Sequence, residues 1–297
     1  MKNLFILDPT TKKYNCPQCN RKRFVRYVHK ETKKHELPYN FGRCDRENSC
    51  GYFKKVSKEI VIDYKKDNNI KPSISYVIEN EIPMNKKPIY IEPDIFKSSL
   101  SDYENNELVK YLYNKYGNKN VEPVINSYNV GTSKKYNGGV VFWQVCKEGL
   151  VRGGPIIAYD HKTGKRLKTN WAVSSVHSEL NLDTSGYRRC LFGEHLLAYN
   201  PERIGIVESE KTAIIKSIEI PSVTWLATSG KVNFKYQLLS SLKPLSQKAK
   251  IIAYPDKGGY EKWNNVANEI RGDIQITVSD ILEKDEYEDG CDIADVI

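Results

Sequence analysis

Short apolar runs alternate with helix-length segments in the last third of the chain. The run Ile204–Val207 leads directly into a segment of helical character, and two similar runs lie within residues 221–230 and 249–259. Each run contains residues that favour strands and ends in small or acidic residues. This alternation predicts βαβ units and a parallel sheet buried on both faces, so we expect an α/β fold here.

Polar residues stand where these predicted strands end. Glu208 follows the first run, Ser229 and Gly230 follow the second, and Asp256 follows the third. Ligands of open parallel sheets bind at the carboxyl ends of the strands, and two carboxylates there suit a hard cation such as Mg2+ or Mn2+. A structural alternative is also open, in which Glu208 caps the next helix and Asp256 begins a glycine-rich turn.

Four cysteines near the N-terminus have the spacing of a zinc ribbon. Cys16 and Cys19 form a Cys-x-x-Cys pair, and Cys44 and Cys50 form a second, more widely spaced pair. Four thiolates from two turns make a closed tetrahedral Zn2+ site. So short a segment buries little apolar surface, and we expect the metal to supply much of its folding free energy.

The segment between the cysteine pairs has the pattern of a hairpin. Residues 23–29 and 35–41 are the two predicted strands. His29 and His35 lie within them, and their strand positions indicate solvent-facing side chains rather than zinc ligands.

The basic charge of the chain is concentrated in this N-terminal part. Residues 1–60 contain 15 Lys or Arg and 6 Asp or Glu, a surplus equal to the net charge of +9 of all 297 residues. Such a module usually faces a polyanion, most often nucleic acid, although a solvated lysine-rich surface is the plain alternative. Basic groups interleaved with aromatic side chains suit single-stranded DNA. The candidates are Arg21, Lys22, Arg23, Arg26, Arg43 and Arg46, which flank Phe24, Tyr27, Tyr39 and Phe41.

The remaining pattern divides the chain into four predicted parts. Helical spacing predicts one helix over residues 94–116, and the apolar runs at 139–145 and 154–159 predict antiparallel strands with a hairpin turn at 160–166. The expected domains are a zinc ribbon at 1–55, a proline-interrupted linker at 56–93, an α+β subdomain at 94–200 and the parallel-sheet domain at 201–297.

Composition indicates a soluble globular protein. Hydrophobic residues make up 39% and charged residues 28%, and no apolar run is long enough to span a bilayer. Seven cysteines without an export signal indicate reduced thiols or metal ligands. We therefore expect a cytoplasmic protein with no membrane partner, in which Cys146, Cys190 and Cys291 are ordinary small side chains.

The last third of the chain resembles a TOPRIM domain, the metal-binding fold of bacterial-type primases, topoisomerases and related nucleases. In that family a glutamate ends the first strand and an Asp-x-Asp pair ends the third, which Glu208 and Asp256 match in part. Gly258 stands in place of the second aspartate. Lys211 and Thr212 stand where the family has an acidic residue in the first helix, so the resemblance implies a reduced set of ligands.

The order of the predicted parts is similar to that of bacterial-type primase-like proteins of mobile elements. The segments 42–46, 191–195 and 207–213 carry this resemblance. It implies a primase-core-like subdomain before the TOPRIM-like domain, with single-stranded DNA, nucleotides and a helicase as partners. The basic groups implied to face the template are Lys165, Arg166, Lys168, His195 and Lys211.

Two functional classes follow from these observations. The first is a primase-like enzyme with metal-dependent nucleotidyl transfer at Glu208, Asp256 and Lys211, the lysine being placed to reach back to Glu208 or to a nucleotide phosphate. The second is a catalytically inactive nucleic-acid-binding accessory protein of a mobile element. The enzyme is favoured if a downstream carboxylate folds back to Asp256, and the candidates are Asp280, Asp285, Glu286 and Asp292.

Overall fold

The structure is a computed structural model that describes residues 4–45, 50, 52–56, 88–134, 138–169, 172–184 and 187–296. The chain divides into two units, residues 1–80 and 81–297. Most of the predicted linker, and the candidate Arg46, lie outside the described residues.

The first unit is built on a long central strand with short antiparallel neighbours. Its strands are β1 (Phe5–Leu7), β2 (Tyr14–Asn15), β3 (Lys22–His29), β4 (Gly42–Cys44) and β5 (Phe53–Lys54). They are ordered β1-β3-β4-β5, and β2 pairs with β3 beside them. The first predicted hairpin strand is therefore confirmed as β3.

The second predicted hairpin strand, at residues 35–41, is wrong. The next strand along the chain that pairs with β3 is β4, which begins only at Gly42. Pro38 lacks the N–H that a ladder position needs. The His35 ring is held instead by the Tyr14 hydroxyl at 2.8 Å and the Tyr27 carbonyl at 3.1 Å, which keeps this segment in a loop.

Aromatic side chains form two small clusters in this unit. Phe24 is fully buried against Cys16 and Cys44, and Phe5 and Phe41 are buried in the second cluster. Contrary to the expectation from the sequence, the histidine side chains do not face solvent. His29 is 7% exposed and packs edge-on against Phe5, because its position on β3 faces the inner side of the sheet.

The second unit begins with helices. They are α1 (Pro93–Ser99), a 3-10 turn at Tyr103–Asn105, α2 (Glu107–Tyr116) and α3 (Asn118–Ser127). The predicted single helix over 94–116 is thus interrupted. Asp102 has a left-handed backbone with φ of 58°, and the Asn106 side chain accepts a hydrogen bond from Val109 N to start a new helix.

An antiparallel layer follows these helices. Its elements are β6 (Val130–Ser133), β7 (Gly139–Phe142), β8 (Gln144–Val145), β9 (Val151–Gly153), β10 (Pro155–Ile157), β11 (Val173–Ser175) and the short helix α4 (Val176–Glu179). The sheet order is β11-β10-β7-β6, and β8 pairs with β9 separately. The run predicted as one strand at 139–145 therefore divides at Trp143, whose buried indole donates to Ser99 Oγ at 2.8 Å.

A parallel sheet completes the second unit, as the alternation of apolar runs predicts. Its elements are β12 (Arg203–Val207), α5 (Glu210–Glu219), β13 (Thr224–Ala227), α6 (Tyr236–Leu239), β14 (Lys250–Ala253), α7 (Tyr260–Ile270), β15 (Thr277–Val278) and the short helix α8 (Ile293–Val296). The order is β13-β12-β14-β15 with all neighbours parallel. Further 3-10 turns lie at Glu194–Tyr199, Lys231–Asn233 and Ser240–Leu245.

The parallel sheet is buried on both faces. One face packs in a cluster with Val207, Trp225 and the α2 residue Leu112, and the other in a cluster with Ile204 and Trp263. The first cluster joins side chains from both sides of residue 200, so the predicted subdomain boundary there stays a prediction. Among the described residues, no helix combines the length and apolar character needed to cross a membrane.

Candidate metal centres and nucleic-acid interface

The four cysteines of the first unit converge. The Sγ atoms of Cys16, Cys19, Cys44 and Cys50 all lie within 4.8 Å of one another, and those of Cys16 and Cys50 are 3.7 Å apart. Tetrahedral Zn2+ with Zn–S bonds of about 2.3 Å separates its sulfurs by about 3.8 Å, whereas bonded sulfurs of a disulfide are only about 2 Å apart. The geometry of the thiols therefore fits Zn2+.

Local backbone structure brings the first two thiols together. The Cys16 N–H donates to Arg21 O, and the Asn20 N–H donates to Cys16 O, both at 2.9 Å. Asn20 closes this turn with a left-handed φ of 52°, a conformation that asparagine tolerates better than most residues. Cys16 and Cys44 are buried, so two ligands face the interior of the ribbon.

The Arg26 side chain lies against two aromatic rings of the ribbon. Its guanidinium lies 4.9 Å from the ring centroid of Tyr39 and 5.5 Å from that of Tyr14. The two rings are nearly perpendicular, with centroids 6.2 Å apart. The Lys12 Nζ lies 5.3 Å from the ring centroid of Tyr14. Tyr39 is 46% exposed, so its ring is open to a ligand.

The remaining basic candidates of the ribbon are divided between two environments. Arg21, Lys22 and Arg23, together with Asp45, line an open depression of about 440 Å3. Arg43 is only partly exposed, and its charge acts on Tyr27. The first three are therefore placed to meet phosphates, and their nucleic-acid role remains a prediction.

The second centre lies at the carboxyl edge of the parallel sheet. The chain leaves β12 for β13 on one side, and β14 is followed by β15 on the other, which places the topological switch point between β12 and β14. Ligands of open α/β sheets bind in the crevice at such a point. Glu208 follows β12 and Asp256 follows β14, and Asp256 N lies 3.3 Å from Glu208 Oε1. The two predicted carboxylates therefore flank this crevice.

Burial makes both carboxylates hard to ionise. It raises the pKa of Glu208, while the charge of Lys231 and the backbone N–H groups of Asp256 and Lys231 lower it. The pKa of Asp256 is raised to about 8 by burial and by the charges of Glu208 and Asp292. A nearby cation would favour the ionised form of both carboxylates.

A third carboxylate reaches the crevice from the C-terminal segment. Asp292 Oδ2 accepts a hydrogen bond of 2.7 Å from Thr212 Oγ1 on α5, and its charge acts on Asp256. The carbonyl of the preceding Cys291 accepts a hydrogen bond from Lys257 N at 3.0 Å, which holds the C-terminal segment beside the loop that follows β14. Of the four downstream carboxylates considered from the sequence, Asp292 is thus the one linked to the site. Glu286 lies 3.7 Å from Lys284 instead.

The carboxylate centre is wider than the cysteine centre. Among the described residues, the four cysteines alone bring three or more ligand atoms within 4.8 Å of one another. Mg2+ bound through one or two carboxylates keeps several waters. Glu208, Asp256 and Asp292 do not form such a cluster, and binding of Mg2+ or Mn2+ between them remains a proposal.

Gly258 offers no carboxylate, and its backbone N–H binds a glutamate instead. The Gly258 N–H lies 3.1 and 3.2 Å from the two carboxylate oxygens of Glu283, and the Tyr260 N–H donates to the first at 3.1 Å. Glu283 therefore satisfies backbone N–H groups at the start of α7. Sequence spacing gives no signal for this contact, because 25 residues separate Glu283 from Gly258.

The predicted basic residues around the crevice fall in different places. Lys211 does not reach back to Glu208, because its Nζ is directed to Gly164 O at 3.3 Å. This contact links α5 to the 160–166 turn, where Lys165 and Arg166 are exposed. The catalytic role of Lys211 and the nucleic-acid role of the turn stay predictions.

The His195 ring is held by two local contacts, and its predicted template-facing role stays a prediction. Its Nε2 lies 2.8 Å from Ser127 O and 3.1 Å from Asn129 Nδ2. Burial lowers the pKa of this imidazole. This burial favours the neutral form of His195. Lys168 is exposed, and its predicted role stays a prediction.

Glu210 is a buried group that sequence analysis missed. It is 4% exposed and accepts a 2.5 Å hydrogen bond from Ser229 Oγ. Gln144 Nε2 donates to the same Oγ at 3.0 Å, and Tyr187 Oη donates to Gln144 Oε1 at 2.5 Å. The Glu-x-Glu spacing after β12 was the available signal, since it places Glu210 at the first position of α5.

Two family comparisons bear on these centres. The family described as "Domain of unknown function (DUF6371)" matches residues 106–257, just over half of the chain, and the protein belongs to this family. A second family, described as a zinc beta-ribbon finger, matches residues 4–68 and includes all four cysteines. No curated protein matches the sequence.

Solved structures of bacterial and phage primases are similar to this chain. The primase fragment of the bacteriophage T7 primase-helicase protein has 14% identity and a TM-score of 0.40, covering 71% of this chain and 79% of that one. The RNA polymerase domain of Mycobacterium tuberculosis primase DnaG has 14% identity and a TM-score of 0.40, covering 68% and 75%. The zinc-binding and RNA polymerase domains of Aquifex aeolicus primase have 12% identity and a TM-score of 0.36, covering 92% and 73%.

Proposed function

We propose that this protein is a primase-like nucleotidyltransferase that binds single-stranded DNA through its zinc ribbon. The observation that carries the proposal is the position of Glu208 and Asp256 on the two sides of the switch-point crevice, with Asp292 folded back beside them. The sheet that holds them is then a TOPRIM-like domain in which Asp292 offsets the carboxylate absent at Gly258.

The carboxylates supply the oxygen ligands of this site. Glu208 is 8% exposed and Asp256 is partly exposed, so their charges are poorly solvated and favour a bound cation. A bound Mg2+ or Mn2+ would stabilise negative charge on the α-phosphate of a nucleoside triphosphate as a 3′-hydroxyl displaces pyrophosphate from it. Thr212 positions Asp292 through its 2.7 Å hydrogen bond, and the backbone N–H of Asp256 positions Glu208.

The ribbon supplies the contacts for the template. Phosphates meet Arg21, Lys22 and Arg23 around the depression, and a base stacks on the exposed ring of Tyr39. Stacking is tolerant of sequence because every base has a π-face. The four thiolates hold Zn2+, which fixes the turn that carries Arg21.

A primer-synthesis assay tests the enzymatic proposal. The full chain is incubated with single-stranded DNA, nucleoside triphosphates and either Mg2+ or Mn2+. Glu208→Gln and Asp256→Asn should abolish product while leaving DNA binding intact, because each removes a charge that the cation needs. The control is Glu261→Gln, an exposed carboxylate on α7. Absence of product from the unaltered protein with both metals, or full activity of both site variants, would refute the proposal.

The second candidate function is a nucleic-acid-binding accessory protein without catalysis. It is favoured by Gly258, which offers no carboxylate and whose N–H is already held by Glu283. In this case the ribbon binds single strands, no product forms with either metal, and the melting temperature does not respond to Mg2+ or Mn2+.

A further inference from the structure

The loop at the end of β13 holds a backbone conformation that its sequence does not favour. Ser229 has a φ of 59° and Gly230 a φ of 117°. A non-glycine residue in the left-handed region costs free energy, and it persists where surrounding contacts determine it. Such positions cluster at functional sites. We call Ser229, Gly230 and Lys231 the β13 loop.

Polar contacts on three sides fix the β13 loop. The Ser229 hydroxyl lies between Glu210 Oε1 at 2.5 Å and Gln144 Nε2 at 3.0 Å. The Ser229 carbonyl accepts from Asn233 Nδ2 at 2.8 Å. Since Glu210 and Gln144 are both buried, the loop is anchored to the interior of the second unit and not to solvent.

These contacts place Lys231 over the carboxylate crevice. The Gly230 N–H donates to the Glu208 carbonyl at 2.9 Å, and the Lys231 N–H bonds to the Glu208 carboxylate. Trp263 Nε1 on α7 donates to the Lys231 carbonyl at 3.1 Å. A Cβ on Gly259 would lie 3.0 Å from Lys231 Cε. The side chain thus runs from β13 past Glu208 to the start of α7.

The charge of Lys231 acts on both carboxylates of the crevice. Its charge lowers the pKa of Glu208 more than any other nearby charge does, and it also opposes the rise in the pKa of Asp256. Lys211, the lysine expected from the sequence, is bound to Gly164 O instead. Lys262 on α7 also acts on Glu208, whereas Lys231 acts on both Glu208 and Asp256.

We propose that Lys231 binds a phosphate group of the ligand held at the carboxylate crevice, beside the divalent cation. This inference rests on the proposed function, because it assigns a role at the same site. A divalent cation offsets most of the negative charge of the three carboxylates, so Lys231 is no longer their main counter-charge and can pair with a polyphosphate. Lysine is a compact cation on a flexible stem and a common phosphate ligand.

The alternative role of Lys231 is that of a counter-charge to Glu208 alone. In either role, removing Lys231 takes one positive charge away from the carboxylates, so Mn2+ alone should bind at least as tightly. Only a phosphate ligand would in addition weaken the affinity for a polyphosphate when the lysine is removed. The two roles therefore predict different measurements on the same variant.

Calorimetry on the full chain with inorganic triphosphate decides between them. Triphosphate is titrated at saturating Mn2+ into the unaltered protein, Lys231→Met and Lys231→Arg. The loss of a charge-assisted contact should weaken triphosphate binding about tenfold in Lys231→Met, and Lys231→Arg should keep most of the affinity. Lys235→Met, an exposed lysine four residues further on, should bind as the unaltered protein does. Mn2+ titrated alone should bind Lys231→Met at least as tightly.

The outcomes that overturn the proposal are defined on the same titrations. Triphosphate affinity of Lys231→Met within twofold of the unaltered protein would contradict it, as would an equal loss in Lys235→Met. Absence of triphosphate binding to the unaltered protein would also contradict it. Lys231→Gln replaces Lys231→Met if that variant is not folded by circular dichroism. Failure of primer synthesis leaves these titrations informative, so the inference and the proposed function fail separately.

Discussion

Asp256 is held in an environment that favours its neutral form. Its pKa is raised to about 8 by burial and by the charges of Glu208 and Asp292. A folded-state pKa above the ordinary value of 3.8 means that the folded protein retains a proton that the unfolded chain releases. The stability from this group is fully present at low pH and is lost as the pH rises through about 8.

A pH series of melting temperatures in chelator tests this prediction. Between about pH 6 and about pH 9 the unaltered protein should lose more stability than Asp256→Asn, whose amide does not ionise. Added Mn2+ should restore stability at the upper end of the range, because it balances the ionised carboxylates. Parallel curves for the two proteins would show that the raised pKa of Asp256 does not contribute to the pH dependence of stability.

Cys44 is a fully buried thiol whose neighbours fit a zinc site. Purified protein should contain one Zn2+ per chain by elemental analysis. Cys44→Ser should lose most of it and destabilise the ribbon, because the metal supplies much of the folding free energy of so small a unit. Cys291→Ser, a half-buried thiol of the second unit, should keep the metal. A zinc-free protein whose ribbon stays folded in chelator would contradict the prediction.

Individual residues could be predicted where local sequence fixes their position. The four cysteines follow from spacing, and Glu208 and Asp256 follow from apolar runs that end in a carboxylate. Glu283 and Lys231 could not be found in this way. Their positions depend on loops packed against elements far along the chain, for which the sequence carries no periodic signal.

In the proposed metal site, the C-terminal segment supplies the third carboxylate. Asp292 is held there by the Thr212 hydroxyl on α5. Thr212→Val should therefore weaken Mn2+ binding through the loss of this positioning contact.

The relevant measurement is Mn2+ affinity of Thr212→Val, Asp292→Asn and the unaltered protein. Loss of a ligand charge should cost about tenfold or more in Asp292→Asn, and loss of the hydroxyl a smaller factor in Thr212→Val. Asp280→Asn, an exposed carboxylate of the same C-terminal part, provides the control. Unchanged affinity in Asp292→Asn would exclude this carboxylate as a ligand.

Helices and strands with a regular hydrophobic pattern could be predicted from the sequence, and irregular segments could not. The parallel strands are short apolar runs with clear ends, and three of them occur where expected. The helix over 94–116 is broken because Asp102 adopts a left-handed backbone, and the hairpin strand at 35–41 is lost to Pro38 and the His35 contacts. In both places local hydrogen bonds override the wider pattern.

At the scale of the whole molecule, the uneven charge distribution predicts where nucleic acid binds. The surplus of nine positive charges lies in residues 1–60. Affinity for single-stranded DNA should fall by orders of magnitude between about 50 and about 200 mM salt. Replacing Arg21 and Lys22 together by alanine should weaken binding to all sequences and reduce the slope of this salt dependence.

Fluorescence anisotropy with labelled oligonucleotides measures this effect. Tyr39→Ala should weaken binding with little change in the salt slope, because it removes stacking and no charge. The control is Lys119→Ala, an exposed lysine of α3 in the second unit. Equal losses from Lys119→Ala and from the Arg21 and Lys22 pair would place the binding surface outside the ribbon.

Glu283 limits which anions can bind at the start of α7. Helix starts in parallel sheets often act as receptors for free anions, since their N–H groups point at the ligand. At α7 two of these N–H positions already hold the Glu283 carboxylate. Sulfate or orthophosphate in the buffer should therefore compete poorly for the crevice, and only anions that arrive with a metal partner should gain entry.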